Sequence, residues 1–171
     1  MQYTSNYLSP LGGILLAADE DGLTGLWFTG QKYFARTLDP KNEEKEIPVL
    51  AQARQWLDIY FSGTEPEFRV PLHITGTKFQ HKVWQLLYAI PYGQTTTYGA
   101  IARQIALQDG LERISAQAVG GAVGRNPVSV IIPCHRVVGS NGSLTGYAGG
   151  LERKTALLQI ESGNRENTVV R

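Results

Sequence analysis

Apolar residues fall in two rhythms along this chain, and the change of rhythm near Gly76 divides it. In the first part, short apolar runs are broken by turn residues. Residues 13–18 (GILLAA) and 23–28 (LTGLWF) flank Asp21-Gly22 and predict a β-hairpin. The charged stretch 39–47 predicts a loop, and Pro48 suits the first turn of a helix. Val49, Leu50, Ala53, Trp56, Leu57 and Tyr60 recur at helical steps, so a helix is predicted over 49–61, stopped by Ser62-Gly63. Residues 68–72 (FRVPL) predict another strand with Pro71 at its edge or end. After Gly76 the rhythm is helical. Thr77 is a candidate N-cap for a stripe of Phe79, Val83, Trp84, Leu86, Leu87 and Ile90, closed by Pro91-Tyr92-Gly93. Thr95, Thr96 and Thr97 offer caps for a helix over 98–107 that Asp109-Gly110 breaks, and Ser115 caps a short helix over 116–123. The pattern predicts an α/β N-terminal domain over 1–75, a small antiparallel sheet plus a helix with a structural role. A mainly α C-terminal domain with a helix-turn-helix follows over 76–171. Disorder is expected at Met1, in the polar loop near Asn42 and in the tail 162–171.

Charge sharpens this division. Residues 1–75 hold six Lys/Arg against ten Asp/Glu, whereas 76–171 hold ten against five, so a chain of formal charge +1 joins an acidic half to a basic one. The basic half suits a polyanion, because each cation near a phosphate releases a condensed counterion. No stretch approaches the ~18 consecutive apolar residues of a membrane span, no basic-then-apolar leader opens the chain, and one cysteine allows no internal disulfide. A reduced, cytoplasmic protein without membrane contact is expected. The helix over 116–123 contains Gly120 and Gly121, each costing ~1 kcal/mol relative to alanine. Either close helix packing or approach of its backbone to nucleic acid offsets this, with Arg125 placed to meet a phosphate.

Candidate chemistry gathers at residues 128–138, Val-Ser-Val-Ile-Ile-Pro-Cys-His-Arg-Val-Val. Here an apolar run predicts a buried strand that delivers Cys134 at its end. A lone buried cysteine is ordinarily an inert small hydrophobe. It becomes a nucleophile where a base or positive field favours its thiolate, and His135 and Arg136 are candidates. On an extended strand neighbouring side chains diverge, so Cys134 and His135 would communicate through a local turn or, as favoured here, a bridging water. The glycine-rich segments 139–143 and 146–150 are either plain turns or the walls of a pocket in which Tyr147 offers a ring face to a flat base.

The ordered set of FQ-x-x-VW at 79–84, IPYGQ-x-x-x-YG at 90–99, AVGGAVGRNP at 118–127, PCHRV at 133–137 and GSLTGYAGGLERK at 142–154 strongly resembles the O-6-alkylguanine-DNA alkyltransferases. The likeness is densest over 77–161; the first half contributes only length and strand pattern. It implies single-use transfer of an alkyl group from O6-alkylguanine, with O4-alkylthymine as a second candidate substrate, in double-stranded DNA to Cys134. The protein would act as a monomer that binds the minor groove and flips the base out. By resemblance His135 promotes the thiolate through a water, Glu161 orients His135, Tyr98 protonates the departing guanine, and Asn126 is the hinge between recognition helix and active-site segment. The carbonyls of Cys134 and Val137 accept from the guanine amino group, and Tyr147 and Ala148 line the base pocket. Ser115, Gln117, Ala118, Gly121, Arg125 and Arg136 are expected to contact DNA or substrate. Gln117 stands where many relatives have an arginine that fills the space left by the flipped base, with Arg113, one helical turn earlier, as a substitute. Ala148 replaces a serine of some relatives, leaving only its backbone N–H, and residues 104–114 form a longer turn than the shortest members carry. The zinc ligands of some relatives cannot be assembled from Cys134 and His73, so no metal and no cofactor is expected. The alternatives are a lesion-binding module that recruits other repair factors without transfer, and a cysteine hydrolase using Cys134 and His135. An intact PCHR argues against the first and poor dyad geometry against the second.

Overall fold

The structure is a computed structural model that describes residues 1–163, and the chain separates into two compact units. Unit 1 comprises Met1–Thr75 together with Pro127–Ser129; unit 2 comprises Gly76–Asn126 and the chain from Val130 onward.

Unit 1 is built on a four-stranded sheet of order β3-β2-β1-β4, with β1 Gln2–Ser9, β2 Gly12–Ala18, β3 Leu23–Phe28 and β4 Asn42–Glu44. The hairpin predicted around Asp21-Gly22 forms as β2–β3. Asp19 Oδ1 accepts from the backbone N–H groups of Asp21 and Gly22 at 2.9 and 3.1 Å, closing the turn. Two features of the sheet depart from expectation. The stretch 2–9 forms β1 at the sheet's centre, antiparallel to β2, although its apolar alternation is weak. The polar segment near Asn42, expected to be disordered, forms β4 and pairs parallel to β1, so the sheet is mixed rather than purely antiparallel. Backbone hydrogen bonding decides β4, since all three of its residues are exposed. Helix α1, Pro48–Phe61, buries Leu50, Ala53, Leu57 and Tyr60.

The strand expected over 68–72 does not form, and only Leu72 makes a bridge, to Leu23. The outer edge of β3 is further covered by 127–129: Leu26 N–H donates to Pro127 O at 2.8 Å, and Ser129 N–H to Leu26 O at 3.0 Å. Within β3, Gly25 is fixed by close approach. A Cβ there would lie 1.9 Å from the ring of Trp27, which stands two residues on along the same face and is buried.

Unit 2 is helical. Helix α2, Lys78–Tyr88, starts at Thr77 with a full capping box to Gln80 and buries Val83, Trp84 and Leu87. A short strand, β5 at Thr96–Thr97, leads into α3, Tyr98–Asp109, capped by Thr97 and ended by Gly110 in the left-handed conformation that glycine adopts freely. Helix α4, Ala116–Gly124, is capped by Ser115 and packs on α2 and α3. The buried strand expected over 128–132 is absent. These residues are buried but run through turns, with Val130 at φ 71°, and Cys134 begins a 3-10 turn, Cys134–Arg136, rather than ending a strand. Strand β6, Val137–Val138, pairs parallel to β5, and α5 spans Leu151–Ser162. Ser162 closes that helix with Gly163 as its cap; the rest of the expected disordered tail lies outside the described residues. Among the described residues no helix is long and apolar enough to cross a membrane.

Gly25→Ala would force the Trp27 ring from its place, an overpacking expected to lower unfolding free energy by about 1–3 kcal/mol. Chemical denaturation with tryptophan fluorescence reads this directly, and unchanged stability would show that the ring has another resting position.

Candidate active site

A 3-10 turn advances about 120° per residue, so Cys134, His135 and Arg136 leave the backbone in three directions. All three side chains are nonetheless buried, and each meets a different partner. His135 Nε2 lies 2.5 Å from Glu161 Oε2, both groups essentially without solvent exposure. Arg136 Nε donates to Glu161 Oε1 at 2.7 Å and Arg136 Nη1 to Ile90 O at 2.6 Å. The backbone N–H of Gly93 adds a third donor to the same carboxylate, at 3.2 Å.

Burial alone would raise Glu161, but the contacts of His135 and Arg136 outweigh it and hold the carboxyl at about 2. Burial lowers His135, with Glu161 opposing, so the imidazole is neutral near pH 7. It then donates Nε2–H to Glu161, leaving Nδ1 as the basic nitrogen. Nδ1 is buried and has no hydrogen-bond partner among the described residues.

Burial pushes the Cys134 thiol up. Against it act the Asn126 side chain, the charge of Lys154 and the Tyr147 hydroxyl. Asn126 Nδ2 also donates to Ile132 O at 2.8 Å, bracing the turn segment ahead of Cys134. Tyr98 Oη donates to Thr145 O at 3.3 Å, and burial raises its pKa, so it is a protonated phenol. Val137 is buried; its N–H caps the 3-10 turn on Cys134 O, while Ala148 is half-buried in the glycine-rich loop.

The structure therefore gathers Cys134, His135, Glu161, Tyr98, Asn126, Val137, Tyr147 and Ala148 in unit 2. It corrects the reading of Arg136. Its guanidinium is buried against Glu161 and Ile90 O, so it supports the carboxylate instead of facing DNA. Ser115, Gln117, Ala118 and Gly121 form an exposed surface on α4, with Arg125 half-buried beside them and donating to Gly121 O at 3.2 Å. Close packing does not account for the paired glycines. A Cβ at Gly120 would make ordinary contact with Tyr98, and one at Gly121 would meet only the end of Arg125. Arg113 precedes the Ser115 cap and so is not one helical turn from Gln117.

Sequence reasoning missed Lys154, which is fully buried. Its signal was the stripe Lys154, Leu157, Glu161, spaced by three and four along α5 with charges at both ends of its buried face. It also missed that Asp19, Asp21 and His73 in unit 1 bring three possible metal-ligating atoms within 4.8 Å of one another. The His73 Nδ1 of that group is already engaged with Asp19 Oδ2 at 2.6 Å.

Since the folded Glu161 lies below its ordinary 4.5, its contribution to stability is complete above that pH and lost as pH falls through about 2. The loss should amount to about 3 kcal/mol, and Glu161→Gln should flatten the slope in denaturant titrations taken from pH 5 to 2.

The family model for 6-O-methylguanine DNA methyltransferase, ribonuclease-like domain, matches residues 2–74, and that for the DNA binding domain of the same family matches residues 78–163. A methylated-DNA--protein-cysteine methyltransferase of Mycobacterium leprae is 43% identical over 155 residues, covering 90% of this chain and 88% of its own. The constitutive enzyme of that name from Bacillus subtilis is 41% identical, covering 94% and 96%. Among solved structures, the O6-methylguanine methyltransferase of Mycobacterium tuberculosis matches with TM-score 0.79, 41% identity and coverage of 95% and 93%. The same organism's OGT in complex with DNA matches at 0.76 and 40%, covering 94% and 92%. Two models of one family meeting end to end, and relatives alike over nearly their whole length, establish that this chain belongs to the 6-O-methylguanine DNA methyltransferase family.

Proposed function

We propose that this protein repairs DNA by moving the alkyl group of O6-alkylguanine onto the Cys134 sulfur, once per molecule. The observation that carries the reading is the chain of groups behind the thiol: a neutral His135 anchored through Nε2–H on Glu161, itself pinned by Arg136, with Nδ1 left as a base. Through a bridging water Nδ1 takes the thiol proton. The sulfur attacks the alkyl carbon in line, the O6–carbon bond breaks, and its electron pair returns to the guanine ring. Tyr98 suits the final step, because its raised pKa keeps a proton available for the departing base. The carbonyls of Cys134 and Val137 accept from the guanine amino group; Cys134 O keeps one lone pair beyond its bond to Val137 N–H. Tyr147 and the Ala148 N–H complete the pocket.

The exposed, small-residue face of α4 supports minor-groove binding, and the protein is proposed to act as a monomer. Ser115, Ala118 and Gly121 let the backbone approach, and the half-buried Arg125 beside them is assigned to a phosphate. Gln117 projects from this face to fill the gap left by the flipped base, hydrogen-bonding the orphaned partner without a charge. A thioether offers water no activated carbonyl, so the product is permanent.

Incubation with methylated duplex should add one methyl group to the peptide containing Cys134, to an extent limited by protein, and Cys134→Ser should abolish it; continued turnover would sink the single-use mechanism. Gln117→Ala is expected to slow repair of duplex about tenfold, equivalent to ~1.4 kcal/mol, while leaving transfer from free O6-methylguanine unchanged. Equal duplex repair by the wild type, Gln117→Ala and Gln117→Arg would remove the wedge from the mechanism.

A further inference from the structure

Of the five sequence blocks in the second half of the chain, FQ-x-x-VW at 79–84 alone has no task in the mechanism above. Gln80 belongs to the capping box of α2 and Val83 to the core. Trp84 is buried as well, and its indole Nε1–H donates to the backbone oxygen of Ala122, 2.9 Å away in α4. A buried indole N–H needs an acceptor. Here the acceptor lies in the last turn of the helix whose exposed side carries Gln117, Ala118 and Gly121.

Helix α4 needs an outside hold at that end. It has nine residues, too few to hold together alone, and Gly120, Gly121 and Gly124 loosen it further. Its first turn is fastened by Ser115, whose Oγ accepts from the Ala118 N–H at 3.0 Å. The carbonyls of a last turn have no such partner ahead of them within the helix. Ala122 O meets this lack with two donors, Trp84 Nε1–H and, at 3.2 Å, the backbone N–H of Arg125. Helix α2 also reaches α3, where Lys82 Nζ lies 2.6 Å from Asp109 Oδ2, but those side chains are 33% and 28% exposed and an ion pair so placed contributes little. The buried indole bond is the firmer hold. The indole is itself confined: a Cβ on Gly76 would lie 2.5 Å from its six-membered ring, and His81 meets it edge-on with ring centroids 5.4 Å apart.

We propose that Trp84 is a positioning residue for duplex binding: its N–H pins the last turn of α4 at Ala122 O and so fixes the face that carries Gln117 and Gly121. This rests on α4 being the surface that meets DNA. Without the pin the last turn frays, and ordering it again draws on the energy of binding. Asn126 keeps its own bond to Ile132 O, so the surroundings of the thiol stay in place. Duplex affinity and thiol reactivity therefore separate.

Equilibrium titration with an unmodified duplex at fixed salt reads the pin. Trp84→Phe keeps a ring in the core and removes the donor. Its dissociation constant should rise about fivefold, the worth of one net hydrogen bond, while the rate at which iodoacetamide modifies Cys134 stays that of the wild type. Unchanged duplex affinity in a folded Trp84→Phe overturns the proposal. So does a loss of thiol reactivity that matches the loss of affinity, because Trp84 would then be a general support. Should Trp84→Phe fail to fold, benzothienylalanine at position 84 decides, since it keeps the bicyclic shape with sulfur in place of N–H. The same weakening is expected, and wild-type affinity overturns the proposal. No alkylated base enters these titrations, so a wild type that binds duplex but takes up no methyl group sinks the repair reading alone. A wild type without duplex affinity overturns both.

Discussion

Glu161 carries a negative charge into a place almost without water, and much of unit 2 is arranged by what must surround it. The carboxylate takes hydrogen bonds from His135 and Arg136 in the 3-10 turn and from Gly93 at the bend between α2 and α3. Those groups lie far from α5 in sequence. A buried carboxylate stripped of one donor costs far more than the bond it lost, because the uncompensated charge remains. Three chain segments are therefore held to a common point, and Arg136 extends the link to the segment just past α2 through Ile90 O. The imidazole direction follows from this: with Nε2–H committed to Glu161, only Nδ1 is left for chemistry.

Local signals in the sequence were read well because their physics is local. Thr77, Thr97 and Ser115 cap the helices they were expected to cap, and Gly110 takes the left-handed position after α3. Each of these needs only the next few backbone N–H or C=O groups. Non-local pairing was harder. Strand β4 has three exposed polar residues and exists because β1 offers a parallel partner some forty positions away. The apolar run 128–132 reads alike as a buried strand or a buried turn, since burial and not hydrogen bonding writes the pattern. The outcome matters for the chemistry, because the turn, with Val130 at φ 71°, sends the backbone into the 3-10 segment that separates thiol from imidazole.

At the site, Cys134, His135 and Glu161 were legible through a motif, whereas the inward turn of Arg136 and the burial of Lys154 were not. Adjacency to Cys134 made Arg136 look like a surface cation near the substrate; three-residue periodicity in the turn instead points it inward. Lys154 and Glu161 share one face of α5 with Leu157 between them, a stripe that carries charge where a core helix carries leucine. A charged residue inside an apolar stripe is a conflict between levels, and such conflicts gather at functional sites.

The three residues 127–129 have a consequence for any attempt to divide this protein. Along the sequence the rhythm of the chain changes after Thr75, but unit 1 is completed by a segment that arrives more than fifty positions later. A fragment ending at Thr75 would leave Leu26 with a bare N–H and C=O on the outer edge of β3, beside buried Trp27 and Phe28. An open apolar strand edge is a template for pairing with other chains. The boundary along the sequence and the physical one therefore differ, and unit 1 becomes a finished object only after synthesis has passed Ser129.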